Sequence, residues 1–180
     1  MKRLIVFFAL VFSYSLGFAQ TGNSLDGDKL SDRVYFGGNI GLQFGTVTNI
    51  EISPLVGYRF TDDFSAGMGI TYIYFKREFS NYPDFETNIY GYRFFARHNI
   101  QEQFYAQAEY ENLSLEFFNI NDGSSRREWV PGAFIGGGYF QPLGRNAGFN
   151  ITALYNVLYD ENKSPYNSPY VIRVGLTMGF

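Results

Sequence analysis

No cysteine occurs anywhere in the 180 residues. Disulfides, a thiolate zinc site and a lipid anchor on an N-terminal cysteine are thereby excluded. Charge is scarce too. Charged residues make up 17% of the chain and the formal net charge is −3, so there is neither a basic surface for nucleic acid nor a strong field of either sign. There is one histidine, His98. Catalysis by histidine needs a nucleophile and an orienting group within reach. Ser80, Ser114, Ser124 and Ser125 fall in or beside other connections, so His98 reads as a solvated turn residue. HExxH, a glycine-rich phosphate loop and a DxDxDG calcium loop are all missing, and Asp62–Asp63 reads as a turn. Nothing in the sequence implies a cofactor or a metal.

Aromatic residues and glycine are abundant, with 20 Phe, 15 Tyr and 20 Gly. That mixture favours strands and tight turns over helices. The first residues, MKRLIVFFALVFSYSLGFAQ, are of a different kind. Lys2 and Arg3 precede an apolar core from Leu4 to Phe12, and Gly17 and Ala19 are small residues where a signal peptidase needs them. This predicts a signal peptide over 1–19, cut before Gln20. The apolar run is too short for a transmembrane anchor, which needs about 20 residues. Residues 20–33 are polar and aperiodic, a flexible lead-in on the periplasmic side.

From residue 34 onward the hydrophobic period is two, not 3.6. Eight strands are predicted, at 34–45, 50–60, 64–75, 87–97, 104–112, 129–141, 148–159 and 170–180. In the third, Phe64, Ala66, Met68, Ile70, Tyr72 and Tyr74 share one face, and Ser65, Gly67, Gly69 and Thr71 the other. The last places Tyr170, Ile172, Val174, Leu176, Met178 and Phe180 on one face, with Arg173, Gly175, Thr177 and Gly179 opposite. Pro54 lacks a ladder donor and suggests a bulge. The run Gly136–Gly138 suggests a place where a barrel wall curves.

An even strand count suits a closed up-and-down barrel, and strands of about 9–11 residues suit a tilted bilayer crossing. The connections alternate as such a barrel requires. Those at 61–63, 98–103 and 142–147 are short and belong to the periplasm. Those at 76–86, 113–128 and 160–169 are longer and belong outside the cell, with 46–49 a short outer turn. The faces choose between membrane and water. An eight-stranded barrel has an interior barely wide enough for side chains, and rows of Phe and Tyr from every strand would overfill it. The aromatics therefore face lipid, and small and polar residues face the lumen. The reading is an all-β, eight-stranded antiparallel transmembrane barrel over 34–180. Glu51, Arg59, Arg93, Arg97, Glu109, Glu111 and Arg173 fall on inward parity. Charges there must pair or hold water, which favours a plugged interior over a solute channel.

ISPLVGYRF and TDDFSAGMGITYIY at 52–74, YGYRFFAR at 90–97, VPGAFIGGGYFQPLG at 130–144 and the ending YVIRVGLTMGF resemble the small outer-membrane barrels of Bacteroidetes type. In general form these are OmpA- and OmpX-like. The resemblance covers 34–180 and implies a place in the outer membrane of a Gram-negative-type bacterium, surrounded by its lipid. It also implies that the last strand, through Tyr170, Ile172, Val174, Leu176, Met178 and Phe180, is the signal read by the outer-membrane assembly machinery. Three functions remain open. A structural or surface-interaction barrel, non-enzymatic and meeting a protein partner through its outer loops, comes first. A narrow porin-like transport barrel and a lipid-modifying enzyme follow. Lys76, Arg77, Tyr82, Asp84, Phe85, Asp122, Arg126, Arg127, Glu128, Asp160, Lys163 and Tyr166 are the outer-loop residues available for contact.

Overall fold

The computed structural model describes residues 33–43, 47–77, 85–118, 125–144, 146–161, 163–166 and 168–179. The expected signal peptide, nearly all of the lead-in, and Phe180 lie outside them. Eight strands are present: β1 Val34–Gln43, β2 Val47–Arg59, β3 Phe64–Arg77, β4 Phe85–Asn99, β5 Phe104–Phe118, β6 Ser125–Pro142, β7 Ala147–Asn156 and β8 Tyr170–Met178. Each pairs antiparallel with the next, and β8 returns to β1 to close the barrel. The closing ladder is the shortest. β1 and β8 share four facing pairs, Phe36↔Met178 to Asn39↔Gly175, against ten for β1–β2 and nine for β7–β8.

The two faces follow the alternation. Ile70 is 65% exposed and Ile172 73% on the outside, while Thr71 and Arg173 beside them are buried inside. On the outer wall Phe60 leans on Phe64 and Phe104 on Tyr139 near the end where β1 begins and β8 ends. Tyr90 and Tyr92 pack on Trp129, and Tyr155 on Tyr170, towards the far end. Aromatic contacts of this kind contribute about 0.5–1.5 kcal/mol each beyond the area they cover.

At the far end the polarity inverts. Ile73, Ile89, Leu113 and Leu115 turn inward and form a buried apolar cluster, backed by Phe75, Phe117 and Val130. The outer wall at this level carries cross-strand ion pairs, Lys76 with Glu86 at 3.9 Å and Arg127 with Glu116 at 3.6 Å. This is why the expected 113–128 connection is mostly ladder. β5 and β6 stay paired from Leu113↔Val130 to Phe118↔Ser125, so only 119–124 connects them. The period of two continues through Leu113, Leu115 and Phe117 with its apolar face turned inward.

Two local expectations change. The β2–β3 ladder has Ile52↔Tyr72 and resumes at Leu55↔Gly69 in the same register. Pro54 therefore interrupts the pairing without inserting a residue, and there is no bulge. Gly138, expected to let the wall curve, makes room for a ring: a β-carbon there would overlap Tyr105, whose hydroxyl is 2.6 Å from Thr152 Oγ1 across the lumen. Gly57 does the same for Tyr35, its facing residue, whose hydroxyl is 3.0 Å from Ser65 Oγ. At these two positions a large ring fits the narrow interior because its neighbour has no side chain.

Gly57→Ala should therefore cost about 1–3 kcal/mol by overpacking, and almost nothing when Tyr35 is already Ala. Urea unfolding in detergent, followed by heat-modifiable gel mobility, measures both. Equal stability of Gly57→Ala and the parent chain would refute the ring-over-glycine account.

Candidate functional site

All seven inward charges expected from parity are carried on the lumen side, but they divide into two groups. The first surrounds Arg173 on β8. Its Nη1 lies 3.2 Å from Glu51 Oε1 on β2, its Nη2 3.1 Å from Glu111 Oε2 on β5, and its Nε 3.4 Å from Glu109 Oε2. The first two are hydrogen-bonded. The third is an ion pair whose geometry falls short of a hydrogen bond. Strand alternation places Glu109 and Glu111 two residues apart on one inward face, so a single guanidinium can reach both.

Arg93 on β4 completes this group. It faces Glu111 in the ladder and is 1% exposed. Its Nη2 donates to the Ser53 carbonyl at 3.2 Å, beside the gap that Pro54 leaves in the ladder. With the Asn39 amide oxygen turned towards it, as the surrounding donors require, Asn39 accepts from Nη1 at 2.9 Å and Nη2 at 2.8 Å. One guanidinium thus pairs with three carboxylates, and a second packs beside them on neutral acceptors. Tyr166 supplies a further donor, its hydroxyl 2.7 Å from Glu111 Oε1. Burial, and then the charge of Glu111, push this phenol well above its ordinary range, so it stays protonated and can donate. Its ring stands edge-on to Phe134 at 5.8 Å, and Phe134 in turn lies 5.5 Å under the Arg173 guanidinium. Sequence reasoning placed Tyr166 among exposed loop residues. Its inward fold has no periodic signal, because SPYNSP is a connection without alternation.

Arg59 and Arg97 form the second group, at the end of the barrel where β1 begins and β8 ends. Arg97 Nε donates to Gln107 Oε1 at 2.9 Å, and its guanidinium stacks 4.0 Å above the Tyr105 ring. Gln107 donates onward to Glu109, which links this group to the first. Arg59, Arg97, Tyr35 and Tyr105 line a cavity of about 210 Å³ on this side. A second space of about 20 Å³, the size of a water molecule, lies under Tyr166 at the far mouth, and the two share no lining residue. Arg93, Phe134 and Thr152, which line neither space, are fully buried.

The remaining expected positions are readily placed. Tyr170, Ile172, Val174, Leu176 and Met178 all point outward and are exposed. Of the expected loop residues, Lys76, Arg77, Phe85, Arg126, Arg127 and Glu128 lie on strand ends instead. Arg126 pairs with Glu128, and the Arg127 guanidinium lies 5.1 Å over the Tyr90 ring while donating to the Asn88 carbonyl at 2.9 Å. Tyr82, Asp84 and Asp122 fall outside the described residues. His98 is exposed at the end of β4 and faces Phe64 and Ala106 across its two ladders. Among the described residues no group of three or more His, Cys, Asp or Glu could hold a metal ion.

Chemically, this arrangement is a cross-brace. Removing Arg173 leaves Glu109 and Glu111, each with a side chain 2% exposed, without their main counter-charge. Breaking a buried pair from one side costs about 3–5 kcal/mol. Arg173→Met should fall in that range, and Arg173→Met with Glu111→Gln should cost less than the two single changes added together, by about 0.5–3 kcal/mol. Equilibrium unfolding of the four chains measures the difference, and simple additivity would dismiss the cross-brace.

No protein-family profile matches the chain. No curated protein matches it either. Among solved structures it is similar to the N-terminal β-barrel domain of Pseudomonas aeruginosa OprF, with 16% identity and a TM-score of 0.48 over 83% of this chain and 98% of that one. The barrel topology of the present chain rests on its own strand ladders.

Proposed function

We propose that this protein is a non-enzymatic β-barrel of the outer membrane that acts as a structural or surface-interaction element through its outer connections. The observation that carries the reading is the inverted solvation of the wall. A closed barrel presents exposed Ile, Phe, Met and Tyr on its outside and keeps Arg, Glu, Gln and Asn within. Contiguous exposed apolar surface on this scale calls for lipid. The return to ordinary polarity above Trp129 and Tyr90, where ion pairs cover the outer wall, supports an edge of the bilayer at that level.

With the short turns on the side where β1 begins and β8 ends, that side faces the periplasm and the β5–β6 hairpin projects outward. The fully buried Arg93, Phe134 and Thr152, which line neither cavity, support a plugged interior over a transport barrel. The outer ends of β3–β6 and the 157–169 connection remain as the contact surface, on a rigid scaffold.

The cysteine-free sequence makes the topology easy to read. A single cysteine at Lys163 should react with a membrane-impermeant maleimide on intact cells, and one at Gln101 only after the outer membrane is permeabilised. The reverse pattern would overturn the orientation, and recovery of the folded chain outside the outer-membrane fraction would overturn the location. For the interaction role, residues 119–124 replaced by a two-residue Asn-Gly turn should leave a folded, heat-modifiable barrel that loses its outer-membrane partners in pull-downs. Retention of every wild-type partner would reduce the hairpin tip to a connector.

A further inference from the structure

β1 and β8 close the barrel with four facing pairs and then part. The outer portion of β1, residues 40–43, stays in the ladder with β2, and residues 170–174 of β8 stay in the ladder with β7. Among the described residues these two segments do not pair with each other. Every other neighbouring pair of strands shares at least nine facing pairs.

On the lumen side the two edges are nevertheless held. Arg173 of β8 reaches past Gly41, which has no side chain to obstruct it, and pairs with Glu51 of β2 at 3.2 Å. Strand edges are driven to pair, and the drive is stronger in hydrocarbon, where unpaired backbone groups find no other partner. The register of the existing pairs, carried on, would set Ile40 opposite Val174 and Gly41 opposite Arg173. No side chain would change face, because the parity is already that of the paired half.

We propose that the outer half of the β1–β8 seam is a lateral gate, alternating between this parted arrangement and a zipped one at the same register, with Arg173–Glu51 holding the two edges within reach. Parted, it leaves the Arg173–Glu51 bridge as the barrier between lumen and outside at this level, with the Arg173 side chain only 3% exposed. The proposal rests on the membrane-spanning reading only for what lies outside the gate, which is lipid. The seam itself is open to test in detergent.

The test uses two cysteine pairs in the full, folded chain. Ile40→Cys with Val174→Cys spans the parted segment, and Phe36→Cys with Met178→Cys spans the paired one. Both pairs point outward and share the same ladder parity. Copper phenanthroline oxidation is followed by gel mobility, in micelles and in bilayers. The 36–178 pair should close fast. The 40–174 pair should close completely but about 10- to 1,000-fold more slowly, as for a zipped state that is the minor population. Glu51→Gln added to the 40–174 pair should slow it further. Equal rates for the two pairs would show a seam that is always zipped, and no closure at 40–174 would show a fixed opening. Closure only between chains would show an edge paired with a second copy. An unchanged rate with Glu51→Gln would show that Arg173–Glu51 does not hold the edges. Each of these results overturns the proposal. The expected rates in micelles, from a chain that fails to enter bilayers, would overturn the membrane reading and leave the gate standing.

Discussion

Everything inside this barrel depends on the guanidinium of Arg173. An outward apolar wall obliges the chain to place its polar side chains in a lumen only a few side chains across, where charge has little water to solvate it. Arg173 answers that constraint by meeting Glu51, Glu109 and Glu111 at once. In doing so it ties β8 to β2 and to β5, strands that are not its neighbours in the sheet. Arg93 stands beside the same cluster on β4, facing Glu111 in the ladder, and anchors to Ser53 and Asn39. Replacing such clusters by apolar groups is often neutral or stabilising elsewhere. Here, each strand must be held at one register, and a slip of one residue would carry Arg173 or a glutamate to the apolar outside.

The alternation of single residues was enough to read much of this in advance. Ser65, Thr71, Glu109, Glu111 and Arg173 are inside and Met68, Ile70, Ile172 and Leu176 outside, as period two requires. What alternation cannot show is which inward charges meet. That depends on the stagger of strands far apart in sequence, and so the separation of Arg59 and Arg97 from the Arg173 group was not legible. Nor was the inward fold of Tyr166, set by a connection without periodicity. The ends of β5 and β6 were misjudged for another reason. Apolar residues were assumed to face outward throughout, whereas Leu113 and Leu115 keep the period and turn inward.

Glycine and proline carried more meaning than their local rules suggested. Pro54 leaves the register of β2 and β3 intact on both sides of the gap, and the Ser53 carbonyl beside that gap accepts from Arg93. Gly57 and Gly138 are the spaces into which Tyr35 and Tyr105 fold. An aromatic count alone would have sent both tyrosines to the outer wall. Their hydroxyls instead reach Ser65 and Thr152, so these bulky side chains help to fill and cross-link the lumen near the end where β1 begins.

The inversion of polarity along β5 also sets a ruler. Outward residues run from Phe104 through Tyr110 before Asn112 and Glu116 appear on the same face. These seven residues at a rise of ~3.4 Å and a tilt of ~40° give an apolar height of roughly 18 Å on this strand. A bilayer whose hydrocarbon layer is much thicker than this band would draw the Glu116–Arg127 pair towards hydrocarbon, so the wall itself sets the thickness of lipid it could sit in without cost.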